Sequence, residues 1–227
     1  MPRDLFDQEI QKAKDEIQLL GRMVEDAIIS SVSALRKHDL RAAQQIIEKD
    51  AAVNAKRFEL ENYIISIIAK QQPTAHDLRV LASIFEVTGE LERIGDYAKG
   101  IAILTIRIGG HWNITQLSDL PMMAELSMSM LHRSLDAFVA EDDVTASSIP
   151  DEDDLVDNLY LQFYRVMITY VLENPASLEE INYLLWVAHN LERAADRVLN
   201  ICQRTIFIVT GEIGQLARYK SEESSVQ

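Results

Sequence analysis

Residues that interrupt helices are scarce in this sequence. Its 227 residues include 8 glycines and 5 prolines, which is about half of the usual share of these two residue types. Because tight turns depend on glycine and proline, this scarcity argues against a sandwich or barrel of many short strands. Hydrophobic residues still make up 48% of the chain, enough to bury a substantial core.

Cysteine and long apolar runs are also lacking. The single cysteine, Cys202, cannot form an intramolecular disulfide, so nothing indicates an oxidising compartment. The apolar stretch at 64–69 is far shorter than the roughly 18 residues that suggest a membrane span. The first ten residues contain no apolar signal core. We therefore expect a soluble cytoplasmic protein with no direct membrane insertion.

Positive charge is in short supply. The chain has 22 Lys and Arg against 36 Asp and Glu, for a net charge of −14. Nucleic acids and anionic membrane surfaces attract basic proteins, so we expect neither as a partner. The same charge disfavours direct binding of free phosphate and other oxyanions. Metal cations and basic protein surfaces are the partners that this composition favours.

Apolar residues recur at helical spacing along almost the whole chain. From Val80 to Ile108 they follow one another in alternating steps of four and three residues, and a similar stripe runs from Leu184 to Cys202. Such stripes bury one helix face against partner helices. We find no pair of strand patterns joined by an Asn-Gly or Asp-Gly turn. The pattern predicts an all-α protein.

Breaks in the pattern divide the chain into six predicted helices. Asp39 offers an N-cap to the second helix, and Ser177 with Glu180 forms a predicted capping box before the last. Several of the helices have about 30 residues, a length of about 45 Å. The breaks fall at 38–39, 72–74, 109–121, 141–143, 174–177 and 210–211.

The six helices form two matching sets of three. Leu91-Glu92-Arg93 is repeated 100 residues later as Leu191-Glu192-Arg193, and Asp50 is repeated 103 residues later as Asp153. A repeat of this length indicates internal duplication. We therefore predict two three-helix bundles, at 1–110 and 111–213, followed by a polar tail at 214–227. The connecting stretch at 109–121 is the expected boundary.

Each repeat carries a Glu and an Asp four residues apart on its third helix. The pairs are Glu92 with Asp96 and Glu192 with Asp196. Side chains at this spacing project from one helix face, one turn apart, beside the apolar stripe. Partly desolvated carboxylate pairs require a cation or a shared proton. A hard metal ion with oxygen ligands satisfies that requirement.

The second helix of each repeat adds a further polar pair at the same spacing. If the second and third helices of a bundle are antiparallel, each half assembles up to four oxygen-bearing side chains, as in other bundle proteins with carboxylate sites. We expect divalent or trivalent ions such as Fe, Zn, Mg or Mn there. The predicted ligands are Asp50, Asn54, Glu92 and Asp96 in the first half, and Asp153, Asp157, Glu192 and Asp196 in the second.

Three other interpretations compete with a metal-binding helical bundle. A Glu and an Asp four residues apart are most often only a solvated helix face. The same carboxylates could activate water in a metal-dependent hydrolase, although no nucleophile motif is present and no Glu is followed three residues later by His. The chain could also be a metal-free helical scaffold. His189, three residues before Glu192, and His76, near the start of the third helix, have no assigned role.

The motifs together resemble the PhoU family over about 5–211. The resemblance rests on the duplicated Glu-x-x-x-Asp motif, on PTAHDLR at 73–79, and on LERAADRVLNICQRTIFIVTGE at 191–212. It implies two three-helix bundles related by a pseudo-twofold axis. It also implies metal at these motifs, because some family members bind multinuclear metal clusters there.

The resemblance further implies a regulatory role without catalysis. PhoU-like proteins repress the phosphate-starvation response when phosphate is plentiful. They are thought to do so by contacting the ATPase of the phosphate ABC transporter and the sensor histidine kinase of the two-component system. Dimers are common in the family, so a homodimer is expected here.

Overall fold

The computed structural model describes residues 3–109 and 117–212, and every regular element in this part of the chain is helical. The residues 110–116 of the predicted boundary and the residues 213–227 that include the predicted tail lie outside the described residues. The α-helices are α1 (Arg3–Lys37), α2 (Leu40–Gln71), α3 (Ala75–Ile108), α4 (Asp119–Ala140), α5 (Asp143–Ser148), α6 (Asp153–Glu173) and α7 (Leu178–Thr210).

The fifth predicted helix is divided into two pieces. A 3₁₀ turn at Ile149–Glu152 separates α5 from α6. It contains Pro150, which has no backbone N–H to donate and is poorly tolerated inside an α-helix. The helix was expected to run without interruption, so this break corrects the sequence prediction.

Of the two predicted helix N-caps, one is present in the structure and one is not. The side chain of Asp39 accepts hydrogen bonds from the backbone N–H groups of Arg41 and Ala42, at 3.1 and 2.9 Å, which confirms the predicted cap. The capping box at Ser177 is wrong. The Ser177 hydroxyl instead donates to the carbonyl of Asn174 at 2.7 Å, because residues 175–177 form a 3₁₀ turn before α7.

The helices form two bundles that share one continuous core. Helices α1, α2 and α3 pack against one another, and α4, α6 and α7 do the same in the second half. The halves meet where α1 packs on α4 and α3 on α7, so each contact joins helices at equivalent places in the repeat. One cluster of buried apolar side chains includes members such as Ile17 and Leu91 from the first half and Phe163 and Leu191 from the second. The repeated all-α fold is confirmed.

Membrane insertion finds no support in the helices of the described part of the chain, since none is both long and apolar enough to cross a bilayer.

The contact between α1 and α4 depends on the missing side chain of Gly21. A Cβ atom at this position would overlap Cδ1 of Leu135, a buried residue of α4. We expect Gly21→Ala to lower the free energy of unfolding by about 1–2 kcal/mol, because overpacking outweighs the gain in helix propensity. Urea denaturation measures the change.

Gly89 on α3 provides the matched control for this substitution. A Cβ atom there meets nothing within 4 Å. Gly89→Ala should therefore raise the free energy of unfolding by up to about 1 kcal/mol. Equal effects of the two substitutions would show that α1 and α4 are not in the close contact described here.

Candidate functional site

The predicted ligands of the first half lie on facing sides of α2 and α3. Asp50, on α2, is almost buried, with 8% of its side chain exposed. Its Oδ2 atom accepts a hydrogen bond from the ammonium group of Lys99, on α3, at 2.7 Å. The same oxygen accepts from the amide of Asn54 at 3.0 Å. Asn54 therefore donates a hydrogen bond to Asp50. The Lys99 ammonium contacts the same oxygen, which is the atom that was predicted to bind a metal ion.

The other end of the first-half site is also neutralised by a cation. The guanidinium of Arg57, on α2, lies 3.0 Å from Oε1 of Glu92 and 2.8 Å from Oε1 of Glu61. Arg93 lies 3.9 Å from Asp96 Oδ2, at the exposed edge of the site. The hydrogen bond to Asp50 is the main reason that the pKa of Lys99 is raised, with smaller contributions from the charges of Asp50 itself, Asp96 and Glu92. Each of the three first-half carboxylates thus has a positively charged neighbour.

The second half repeats these carboxylates but not these cations. The positions equivalent to Arg57 and Lys99 are occupied by Tyr160 and Leu199. Burial is the main cause of the raised pKa of Glu192, and the charge of Asp196 raises it further. The pKa of Asp157, on α6, is also raised, mainly by burial and then by Asp196. Asp157, Glu192 and Asp196 are therefore close enough to repel one another.

One oxygen of Glu192 is buried without a hydrogen bond from any described residue. This atom is Oε2. The Nδ1 atom of His189 lies 3.2 Å from it, but the geometry does not form a hydrogen bond. The His189 ring lies beside Tyr160 and Trp186, with ring centroids 6.3 and 5.8 Å away. A buried carboxylate oxygen with no donor is the kind of atom that a cation would satisfy.

Compensation by arginine is weak in the second half. Arg193 is 3.8 Å from Asp196 Oδ2, and 43% of its side chain is exposed. A hydrogen bond to the side chain of Tyr97 is the main cause of the raised pKa of Arg193, so its guanidinium is shared with α3. An exposed ion pair of this length contributes little, and the same holds for the pair of Arg93 and Asp96 in the first half.

The two halves differ in how well they suit a metal ion. Within residues 3–109 and 117–212, no three His, Cys, Asp or Glu side chains converge closely enough to form a complete metal site. In the first half the residues do not fit a metal, because Lys99 and Arg57 already hold the carboxylate oxygens of Asp50 and Glu92. The second half offers carboxylate donors and the unpaired oxygen of Glu192, which suit a hard cation. Asp153 is the first residue of α6, four residues before Asp157.

Sequence reasoning missed the two cations of the first half. Arg57 lies three residues after Asn54, and Lys99 lies three residues after Asp96, so each shares a helix face with a predicted ligand. Comparing these positions with Tyr160 and Leu199 in the second repeat reveals the difference.

The remaining sequence candidates lie outside the carboxylate sites. His76 Nε2 is 3.1 Å from Glu141 Oε2 and so joins the start of α3 to the end of α4. Lys14 contacts the same carboxylate at 2.7 Å. Cys202 is fully buried, and burial raises the pKa of its thiol to about 12. The thiol is therefore unreactive.

The pKa of Glu192 predicts how stability depends on pH. Its value in the folded protein is raised above the ordinary 4.5, so the folded state binds a proton that the unfolded chain has already released. Stability is therefore lost as pH rises through the interval above 4.5 and is regained as pH falls. We expect the free energy of unfolding of metal-free protein, measured relative to Glu192→Gln, to increase on acidification. Parallel pH profiles for the two proteins would contradict the assignment.

Comparison with known proteins follows the same twofold division. The model of the family described as "PhoU domain" matches residues 17–105 and again residues 120–205. A PhoU homologue of Clostridium acetobutylicum, named as a phosphate-specific transport system accessory protein, is 32% identical over 213 residues, covering 93% of this chain and 97% of the relative. The accessory protein PhoU of Escherichia coli K12 is 32% identical over 207 residues, covering 91% of this chain and 86% of the relative.

Solved structures share the fold over nearly the whole chain. PhoU from Pseudomonas aeruginosa superposes with a TM-score of 0.85 at 29% identity and covers 91% of this chain and 100% of its own. The phosphate transport system regulatory protein PhoU from Streptococcus pneumoniae gives a TM-score of 0.85 at 30% identity. The match covers 92% of this chain and 98% of the Streptococcus pneumoniae chain. The fold and the paired carboxylate motifs define a duplicated helical-bundle protein. This chain belongs to the PhoU family.

Proposed function

We propose that this protein is a non-enzymatic regulator of phosphate uptake and of phosphate-starvation signalling. The observation that carries the proposal is the match of the PhoU domain to both repeats. It is supported by relatives that are named as accessory and regulatory proteins of phosphate transport and that align over most of their length. In this proposal the protein acts in the cytoplasm and represses the starvation response when phosphate is plentiful.

The proposed partners are the ATPase of the phosphate ABC transporter and a sensor histidine kinase. A chain with a net charge of −14 favours basic partner surfaces and rapid, salt-sensitive association. We further propose that the protein acts as a homodimer.

Metal binding is proposed at the carboxylates of the second half. Asp157, Glu192 and Asp196 would hold a divalent or trivalent ion through their oxygens, with Asp153 as a further candidate ligand. The unpaired Oε2 of Glu192 supports this proposal. The ion would offset repulsion between α6 and α7 and so fix the surface that these helices present to a partner.

Co-purification tests the regulatory proposal directly. The tagged full-length chain should retain the transporter ATPase and the kinase in low salt, and retention should fall as salt rises. An ATPase from an unrelated ABC transporter serves as the control and should not be retained. If neither proposed partner is retained above this control, the proposal is wrong. Sustained hydrolysis of phosphoesters, abolished by Glu192→Gln, would instead support the hydrolase interpretation.

A further inference from the structure

The two repeats share three carboxylate positions but differ in the cations around them. In the first repeat, the α2–α3 face carries Arg57 and Lys99 among the acidic side chains. In the second, the corresponding α6–α7 positions are Tyr160 and Leu199. Duplication has therefore preserved the acidic pattern while removing the cations from one copy or adding them to the other.

Lys99 is placed as a metal ion would be. Its ammonium contacts Oδ2 of Asp50 at 2.7 Å, and Asp50 is almost buried, so this carboxylate needs a cation. A metal ion at the same oxygen would have to displace the ammonium and would be repelled by it. The Lys99 side chain is 36% exposed, so it can be replaced without leaving a large void.

The first-half cluster is accessible from solvent. Asp50 and Lys99 line a cleft of about 340 Å³ between the helices of the first bundle, together with Lys49 and Gly95. An ion can therefore reach Asp50 from solvent once Lys99 is removed. Lack of solvent access does not explain why the first half would fail to bind metal.

We infer that Lys99 is a built-in cation that takes the place of metal in the first half, so that this half is closed to metal ions. The inference deepens the proposed function, because it assigns metal binding to the second half alone. It gives the two repeats different roles: the first is held together by its own lysine, and the second responds to the supply of metal.

Titration with Mn²⁺ of full-length Lys99→Leu, made in a chain that also carries Arg57→Tyr so that Glu92 is released, tests the inference, with Arg57→Tyr alone as the reference. Lys99→Leu gives the first half the residue that the second half has, and we expect the double variant to bind about one Mn²⁺ more per chain than Arg57→Tyr alone. Lys49→Leu is the matched control, because it removes an exposed lysine from the same cleft and should leave the stoichiometry unchanged. Adding Glu92→Gln and Asp96→Asn to Lys99→Leu should remove the extra ion.

Three further variants keep the test decisive. Made in the same Arg57→Tyr chain, Lys99→Gln retains a hydrogen-bond donor for Asp50 without the charge, so it serves if Lys99→Leu unfolds, and it should also gain Mn²⁺. The reciprocal change Leu199→Lys should abolish Mn²⁺ binding in the second half, whereas Leu199→Met should not. Thermal unfolding with and without Mn²⁺ provides a second readout, because each gained ion should raise the melting temperature.

The outcomes separate this inference from the proposed function. It is overturned if neither Lys99 variant gains an ion, or if the wild type already binds Mn²⁺ in its first half. A wild type without Mn²⁺, combined with a gain in Lys99→Leu, supports the role of Lys99 and contradicts metal binding in the second half. The co-purification experiment remains independent of either result.

Discussion

Replacing Phe163 by Ala should lower the free energy of unfolding by about 3–5 kcal/mol. Phe163 is fully buried, and within α6 its only buried companions are Val156 and Met167. The other apolar contacts of α6 with the core come from partly buried side chains, namely Leu159, Tyr160, Tyr170 and Val171. Loss of the largest fully buried side chain should therefore loosen the helix. Asp157 lies on the same helix, so the carboxylates of the second half should separate as well. Urea denaturation followed by circular dichroism measures the loss.

The control is Phe58→Ala on α2, the helix that corresponds to α6 in the first half. Phe58 is 55% exposed, so its truncation should change the free energy of unfolding by no more than about 0.5 kcal/mol. If both substitutions cost the same, Phe163 does not anchor α6 in the way described.

Neutralising the carboxylate pairs should have opposite effects in the two halves. In metal-free protein, Glu92→Gln with Asp96→Asn should destabilise the fold by about 1–3 kcal/mol, because Arg57 loses one of its two carboxylate partners, at 3.0 Å, and keeps only Glu61. Glu192→Gln with Asp196→Asn should instead leave stability unchanged or raise it by about 1 kcal/mol, because it relieves repulsion between carboxylates that only His189 and the exposed Arg193 offset.

The two double variants have the same chemistry, so each is the control for the other. Denaturation in the presence of a chelator measures both free energies of unfolding. A metal-free scaffold with equivalent halves predicts a slight stabilisation by both variants. Destabilisation by both would mean that Glu192 has a cationic partner comparable to Arg57, contrary to its unpaired Oε2 atom.

Local signals in the sequence predicted most of the fold. The spacing of apolar residues and the cap at Asp39 depend on neighbours along the chain, so they can be read without knowing the packing. Pro150 is a local signal against a continuous helix, because proline has no backbone N–H to donate, and it divides the fifth predicted helix. At Ser177 the predicted cap competed with a 3₁₀ turn, and the turn prevailed.

The candidate site was less predictable because its chemistry depends on contacts between helices. Helical spacing placed Glu92 with Asp96 and Glu192 with Asp196 correctly on their faces. Spacing along one helix does not reveal that Lys99 reaches Asp50 on α2. It also does not reveal that Glu192 lacks a donor on α6. These facts arise only when α2 meets α3 and α6 meets α7.

Metal content in the two halves is the most direct test of this interpretation. Isothermal titration of full-length, chelator-treated protein with Mn²⁺ should show binding by the wild type. Binding should persist in Glu92→Gln with Asp96→Asn and disappear in Glu192→Gln with Asp196→Asn, since the second half has no counterparts of Arg57 and Lys99. Loss of binding in the first-half variant with retention in the second-half variant would show the reverse assignment, and absence of binding by the wild type would refute a metal site in the second half.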